Sequence, residues 1–321
     1  MMMSRFNARR LANLLETSLI MTALLGLLLF IAWLFAGMIG ILFVCVAAIP
    51  ALVIGGARAG RLILRMYQAS PLSFSSSPGL VALLGEICQR AELPDVPQLF
   101  YIPSKAPLAF SVGLGKGGAI ALSDGLLRML SWRELVGVLA HEVGHIARKD
   151  TRVMGIADVA SRLVWAISLT GQLLFLLNLP FYLFGNVGLP WLPLLIMIAA
   201  PVSMALLQLA LSRTREYEAD RLAAQLTNDP LGLAAALERM ELAQRQLLRR
   251  SFVSSGKLDG PSILRTHPGT ARRIERLAEL ARDLELHSPA GYTHTDGLKH
   301  PLEGVDAPGR QPRRRFLGHW F

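Results

Sequence analysis

The sequence predicts a mainly α-helical membrane protein, in which two transmembrane helical hairpins accompany a cytoplasmic α+β domain with a small sheet. Three observations predict this class. Two long runs carry no charged side chain, basic residues flank both runs, and the more polar remainder contains short helix-like and strand-like segments. A charge near the bilayer centre costs about 2.5–3.5 kcal/mol on insertion scales, so long charge-free runs are expected in lipid.

The charge-free runs, residues 17–57 and 163–212, are each long enough for two crossings, because one helix needs about 20 residues. Gly37 and Gly40 mark the turn of the first hairpin, and residues 180–190 mark the turn of the second. Several prolines in the second run leave open a shallow or re-entrant path for that hairpin. The predicted spans are residues 19–36, 39–56, 163–182 and 189–211.

The charges beside the runs predict the orientation in the membrane. The flanks of both runs are basic, whereas the turn inside each run carries no charge. By the positive-inside rule, both termini and the segment between the hairpins are cytoplasmic. The expected localisation is that of a multi-pass protein of the cell inner membrane. The flanking basic residues are Arg5, Arg9, Arg10, Arg58, Arg61, Arg65, Arg148, Lys149, Arg152, Arg213, Arg215 and Arg221.

The net charge of +10 is therefore explained by orientation and by attraction to anionic lipid. We expect the lipid bilayer as a partner and no nucleic acid, because no recognised nucleic-acid module is present. Cys45 lies in a predicted span and Cys88 in the soluble part, so no disulfide framework is predicted, in agreement with a reducing cytoplasm.

The charge-free runs divide the chain into six segments. These are a basic cytoplasmic N-terminus (1–16), the first hairpin (17–57), the first part of the soluble domain (58–162), the second hairpin (163–212), its second part (213–286) and a disordered basic tail (287–321). The tail is rich in Gly, Pro and Arg and has no periodicity.

Local patterns predict the elements of the soluble domain. Hydrophobic periodicity and turn residues predict helices and three short strands, and the glycine-rich segment 113–118 is predicted to connect a hairpin rather than to bind phosphate. A flexible loop is predicted at 251–261. The predicted helices are 78–91, 213–226, 231–250 and 270–285, and the predicted strands are 98–102, 109–112 and 119–122.

The stretch His141-Glu142-Val143-Gly144-His145 predicts a metal site and a general base within one helical turn. Residues four apart on a helix lie on one face, so both imidazoles can hold one zinc ion. Glu142 lies beside His141 and can take a proton from metal-bound water. Ser131 is the predicted N-cap of this helix, with Glu134 three residues later. A helix that starts at His145 is expected to run towards the membrane through Arg162. The alternative is two surface histidines on an ordinary amphipathic helix.

A catalytic zinc usually takes a third protein ligand from outside such a turn. Glu216 and Asp220 lie on one face of the predicted helix after the second hairpin, and Glu218 points away from them. Glu216 is the candidate ligand, and Asp220 is the candidate partner that orients a ligand histidine. The alternative is a solvated helix whose acids pair with Arg213, Arg215 and Arg221.

Over roughly residues 15–285, the chain resembles the HtpX-type membrane-bound zinc metalloproteases in the order in which these features follow one another. The matching motifs are His141–His145 with Asp150 following, the Glu216–Asp220 segment, and the stretch at His267 and Arg273. The resemblance implies a gluzincin-like fold with one Zn²⁺ per chain, Glu216 as the third ligand and Asp220 beside the ligands. It also implies that His267 and Arg273 stabilise the oxyanion.

One position departs from that family, which commonly has Asn-Ala-Phe on the strand beside the active site. Leu108 stands in place of that Asn. The strand can still offer main-chain hydrogen bonds to a substrate, but the side-chain contact of an Asn is absent.

The resemblance implies an endopeptidase that acts on misfolded membrane proteins or unfolded proteins. The predicted closeness of the zinc site to the membrane surface agrees with such substrates. Two alternatives are a non-catalytic zinc-binding membrane scaffold, which has no need of Glu142, and a CaaX-prenyl-type processing protease, which normally has more membrane segments. A small transporter is disfavoured, because the runs contain few polar groups.

Overall fold

The computed structural model describes residues 2–72, 77–113, 118–185, 189–253 and 270–285. In these ranges the chain is mainly helical and has one four-stranded sheet. In chain order the elements are α1 (Met2–Met66), β1 (Ser70–Pro71), α2 (Pro78–Arg90), β2 (Gln98–Ile102), β3 (Ala109–Val112), β4 (Ala119–Ser123), α3 (Asp124–Met129), α4 (Trp132–Ala147), α5 (Asp150–Phe184), α6 (Trp191–Thr227), α7 (Pro230–Val253) and α8 (Thr270–Glu285).

Three helices, α1, α5 and α6, form an apolar bundle. Among the described residues, these three are long and apolar enough to cross a membrane. Their mutual contacts bury small and aliphatic side chains such as Leu24, Ala160 and Met204. Many other large apolar side chains of the same helices, including Ile39 and Phe184, point outward and are exposed. An apolar outer surface of this kind suits a lipid environment.

The first helix is interrupted at the predicted turn. Ala36 and Gly37 have non-helical backbone angles, and Gly37 has a φ of 58°, a left-handed conformation that glycine adopts without strain. A side chain at Gly40 would lie 2.1 Å from the carbonyl oxygen of Ala32. Residues eight apart on a straight helix are about 12 Å apart, so the chain reverses here.

The second charge-free run forms two long helices. Pro180 lies inside α5 and Pro201 lies inside α6, and both helices continue through them. The 35 residues of α5 extend about 52 Å, which exceeds the hydrocarbon thickness of about 30 Å.

Two predicted helix boundaries were wrong. The separate helix at 213–226 is the end of α6, which runs unbroken from Trp191 to Thr227 and joins the apolar segment rigidly to Glu216. The helix expected from His145 through Arg162 is two helices, because α4 ends at Ala147 and α5 begins at Asp150. Lys149 separates them with a φ of 56°.

The three predicted strands and the helices at 78–91, 231–250 and 270–285 are confirmed within one to three residues. The sheet order is β1-β2-β4-β3, with β2 parallel to β4 and β3 antiparallel to β4. The glycine-rich segment 113–118 therefore connects neighbouring antiparallel strands, although residues 114–117 lie outside the described ranges. The short strand β1 and the helix α3 were not predicted.

The predicted loop 251–261 is only partly described. Residues 251–253 extend α7, and the remainder lies outside the described ranges, as does the predicted tail at 287–321.

The helix α4 is the centre of the part of the structure that lies outside the apolar bundle. Its apolar side chains, including Leu135, Leu139 and Val143, are buried in the main core with residues of α2 and the sheet. On its other side α7 approaches closely, since a side chain added at Gly137 would lie 2.9 Å from the backbone of Leu233. This packing places α7 beside the histidine turn of α4.

Candidate metal centre

The helix that carries His141 and His145 begins with a complete capping box. The Ser131 hydroxyl accepts a hydrogen bond from the Glu134 backbone N–H, and the Glu134 carboxylate accepts one from the Ser131 N–H at 2.7 Å. This confirms the predicted start of the helix, because both bonds satisfy orphan donors of its first turn.

Both imidazoles and one carboxylate converge at a single point. The Nε2 atoms of His141 and His145 are 3.1 Å apart. Glu216 places Oε2 at 3.4 Å from the Nε2 of His141 and Oε1 at 3.8 Å from the Nε2 of His145. Ligand atoms about 2.0–2.1 Å from a tetrahedral zinc are about 3.3–3.4 Å from one another. The three side chains therefore fit the spacing of a three-ligand zinc site.

The close packing of α6 on α4 makes this convergence possible. A side chain added at Gly144 would lie 3.3 Å from the carbonyl oxygen of Ala219, a contact tighter than nine in ten Cβ contacts. Gly144, between Val143 and His145, therefore leaves room for α6 to pass close to α4. As a result, Glu216 reaches the histidines from a helix that is distant in sequence.

Each histidine is oriented by a buried aspartate on its other ring nitrogen. The Nδ1 of His141 lies 3.0 Å from Oδ1 of Asp220, and the Nδ1 of His145 lies 2.8 Å from Oδ2 of Asp150. Carboxylates in this position hold the ring so that Nε2 faces a metal. Asp220 lies where its predicted role requires. The contact of Asp150 with His145 was not predicted, although Asp150 was already part of the sequence motif.

Arg273 is buried against the same carboxylates. Its side chain is 1% exposed and donates two hydrogen bonds to Asp220, at 2.6 and 2.7 Å. Its Nη1 lies 2.8 Å from Oε2 of Glu216. Burial opposes its positive charge, but Asp220 and Glu216 raise the pKa of Arg273 above its ordinary value. The guanidinium therefore links Glu216, the candidate third ligand, to Asp220, the aspartate that contacts His141.

The carboxylates around His141 favour a positive charge at this position. Burial pulls the pKa of His141 down, but Asp220 and Glu216, whose carboxylates accept hydrogen bonds from the imidazole, outweigh burial and raise the pKa to about 10. A divalent cation supplies positive charge at the same place. The donor set of two imidazoles and a carboxylate is also the chemistry that zinc prefers.

A cleft opens to solvent beside the candidate metal ligands. Glu142 lines this cleft next to His141, and its side chain is buried at the cleft wall. Arg273 also lines it, as do residues of β3 and α7. His267, the other residue expected near the oxyanion, lies outside the described residues.

Asp150→Asn is expected to weaken zinc binding by about 10- to 100-fold, because residues that orient a metal ligand typically have effects of this size. The measurement is a competition titration of the purified full-length protein against a zinc chelator in detergent. Asp158→Asn is the matched control on the same helix, since Asp158 is exposed and pairs only with Arg162 in the described contacts. Equal zinc affinities for the two variants would contradict the orienting role.

Comparison with known proteins gives consistent results. Residues 77–281 match the family model described as Peptidase family M48. The chain is 39% identical over 248 residues to "Protease HtpX homolog" of Acaryochloris marina, covering 73% of this chain and 82% of that protein. It is 32% identical to the protein of the same name from Methylibium petroleiphilum, covering 83% of this chain and 96% of the relative.

Among solved structures, the crystal structure of S. mikatae Ste24p aligns with a TM-score of 0.46 and 20% identity. The alignment covers 83% of this chain and 66% of that one.

Proposed function

Since this chain belongs to peptidase family M48 and is a membrane-bound zinc metalloprotease, we propose that it cleaves misfolded membrane proteins at the cytoplasmic face of the inner membrane. The observation that carries the proposal is the candidate metal centre just beyond the apolar part of α6. Glu216 lies in α6, the helix that also contains the charge-free run up to Ser212.

His141, His145 and Glu216 are the residues that would hold one zinc ion, with Asp220 and Asp150 behind the histidines. When bound, zinc lowers the pKa of a water molecule and polarises the scissile carbonyl. Glu142 accepts the proton of that water and later delivers it to the leaving amine. Its place in the cleft wall beside His141 supports this role.

Arg273 serves two purposes in this scheme. Its bonds to Glu216 and Asp220 hold both carboxylates in place. Because Arg273 also lines the cleft, its positive charge stabilises the oxyanion that forms at the substrate carbonyl. His267 is the second residue that we propose for the oxyanion, and its support is the sequence motif alone.

The chain crosses the membrane four times in this proposal, as two helical hairpins. The reversal at Ala36 and Gly37 supports two crossings within α1, and α5 and α6 supply the other two. The uncharged turns and the basic flanks support cytoplasmic termini and a cytoplasmic catalytic domain.

The substrate class follows from the distance between the metal centre and the membrane. Glu216 lies four residues beyond the last charge-free position, which is about 6 Å along a helix. A peptide bond reaches the centre most readily when it lies in a cytoplasmic loop near the bilayer surface. Quality control of misfolded membrane proteins is the role that fits such substrates.

We expect the protein in liposomes to cleave loops of destabilised membrane proteins faster than soluble unfolded proteins, in a zinc-dependent manner. The measurement is the initial cleavage rate of substrate pairs that share one cytoplasmic loop, either within a membrane protein or as a soluble polypeptide. Equal rates for the two forms would overturn the membrane preference. Rates that do not change when zinc is removed by a chelator and then restored would overturn the mechanism.

A further inference from the structure

We propose that three apolar side chains of α7 select the substrate by receiving a bulky apolar side chain next to the scissile peptide bond. These residues, Leu233, Leu237 and Met240, are called the α7 stripe. The inference rests on the proposed function, because it assigns a specificity to the same cleft.

The spacing of the α7 stripe places it on one side of its helix. Its members are four and then three residues apart, so their side chains follow one another along a single helical face. All three line the cleft that also contains His141 and Glu142. A substrate carbonyl that reaches these catalytic groups therefore places its neighbouring side chains against α7.

The α7 stripe packs against the main core. Leu233 is 1% exposed and belongs to the main core cluster, and Leu237 and Met240 pack against that cluster while remaining half-buried. Their remaining exposed surface faces the cleft, which they help to line. These three side chains gain from burying an apolar group and offer no partner to a charged or amide side chain. Glu241 and Gln244, which also line the cleft from α7, lie farther along the helix.

The strand β3 leaves room in the cleft. Ala109 of β3 contributes only a methyl group to the lining. The next residue, Phe110, points to the other face of the sheet and packs its ring 5.4 Å from that of Tyr67. Val138 of α4 adds to the apolar lining, so this part of the cleft suits a large apolar side chain.

The test uses the full-length protein in detergent with zinc and a set of peptides that share one scissile bond. The flanking residues are varied among Leu, Phe, Ala and Asp, and mass spectrometry verifies the cleavage position. At one flanking position, we expect kcat/KM for the Leu peptide to exceed kcat/KM for the Ala peptide by about 10- to 200-fold, the range typical of an apolar pocket. Leu237→Asn is expected to reduce this ratio about tenfold, and Ala109→Val to reduce cleavage of the Phe peptide relative to the Ala peptide.

Each result is a ratio within one protein preparation, so the folded fraction of a variant does not affect it. Leu242→Asn is the matched control, because Leu242 is on the same helix, is 52% exposed and does not line the cleft; its ratio should equal that of the unaltered protein. A ratio near one in the unaltered protein, or unchanged ratios in both Leu237→Asn and Ala109→Val, would overturn the inference. Failure to cleave any peptide or protein with zinc would instead overturn the proposed function.

Discussion

Glu142→Gln is expected to lower kcat for peptide hydrolysis by about 10²- to 10⁴-fold while zinc remains bound, the range typical of a lost general acid–base catalyst. The amide has the shape of the carboxylate but cannot accept a proton from water. Glu142 is not among the three side chains that converge as candidate ligands, so zinc content should stay near one ion per chain. The measurements are initial cleavage rates and elemental analysis of the purified protein.

Glu238→Gln is the control for this substitution. Glu238 is exposed on α7 and does not line the cleft, so the variant should retain both zinc and activity. Cleavage by Glu142→Gln at the rate of the unaltered protein would contradict the assignment of the base. Loss of zinc from that variant would contradict the separation between the base and the ligands.

Glu216→Gln is expected to remove most of the bound zinc and, with it, nearly all proteolysis. A neutral amide is a poor zinc ligand, since zinc sites in proteins use imidazole, thiolate and carboxylate. The same change removes one of the two carboxylates that form ion pairs with the buried guanidinium of Arg273, while Asp220 still pairs with it. A buried charge that loses part of its compensation is less stable in the folded state, so the melting temperature should also fall. Zinc stoichiometry, activity and thermal unfolding are measured on one preparation.

Glu218→Gln separates these two effects. Glu218 lies two residues away on the same helix, is equally buried and pairs with Arg148 on the opposite side. The variant loses a buried charge but none of the converging ligand atoms. It is expected to melt earlier and still to bind zinc. Retention of zinc by Glu216→Gln would contradict the assignment of Glu216 as the third ligand. Equal loss of zinc in Glu216→Gln and Glu218→Gln would contradict it as well.

Several elements could be predicted because their signals are local. The capping box of α4 is formed by Ser131 and Glu134, three residues apart, and it needs no contact from elsewhere in the chain. The three central strands are short, apolar and bounded by turn residues, which is the local signature of a strand. The break at Gly37 also followed from one residue type, since few others adopt its backbone angles.

Other elements could not be predicted, because their cause is distant in sequence. The strand β1 has two residues and exists only through its pairing with β2, about thirty positions later. The continuity of α6 past Ser212 is likewise a matter of packing. Its charged segment has no local reason to share a helix with the apolar segment, yet α6 packs closely on α4 and the side chains of Glu216 and Asp220 are buried.

The sequence by itself determined the pair His141 and His145 and the neighbouring Glu142, because helical periodicity alone brings residues four apart onto one face. It also indicated Glu216, through the face that Glu216 shares with Asp220. Only the tertiary structure decided that Asp150 supports His145, that Arg273 joins Glu216 to Asp220, and that α7 forms the cleft wall. The physical reason is that these contacts join separate helices, and their geometry depends on how closely the helices pack.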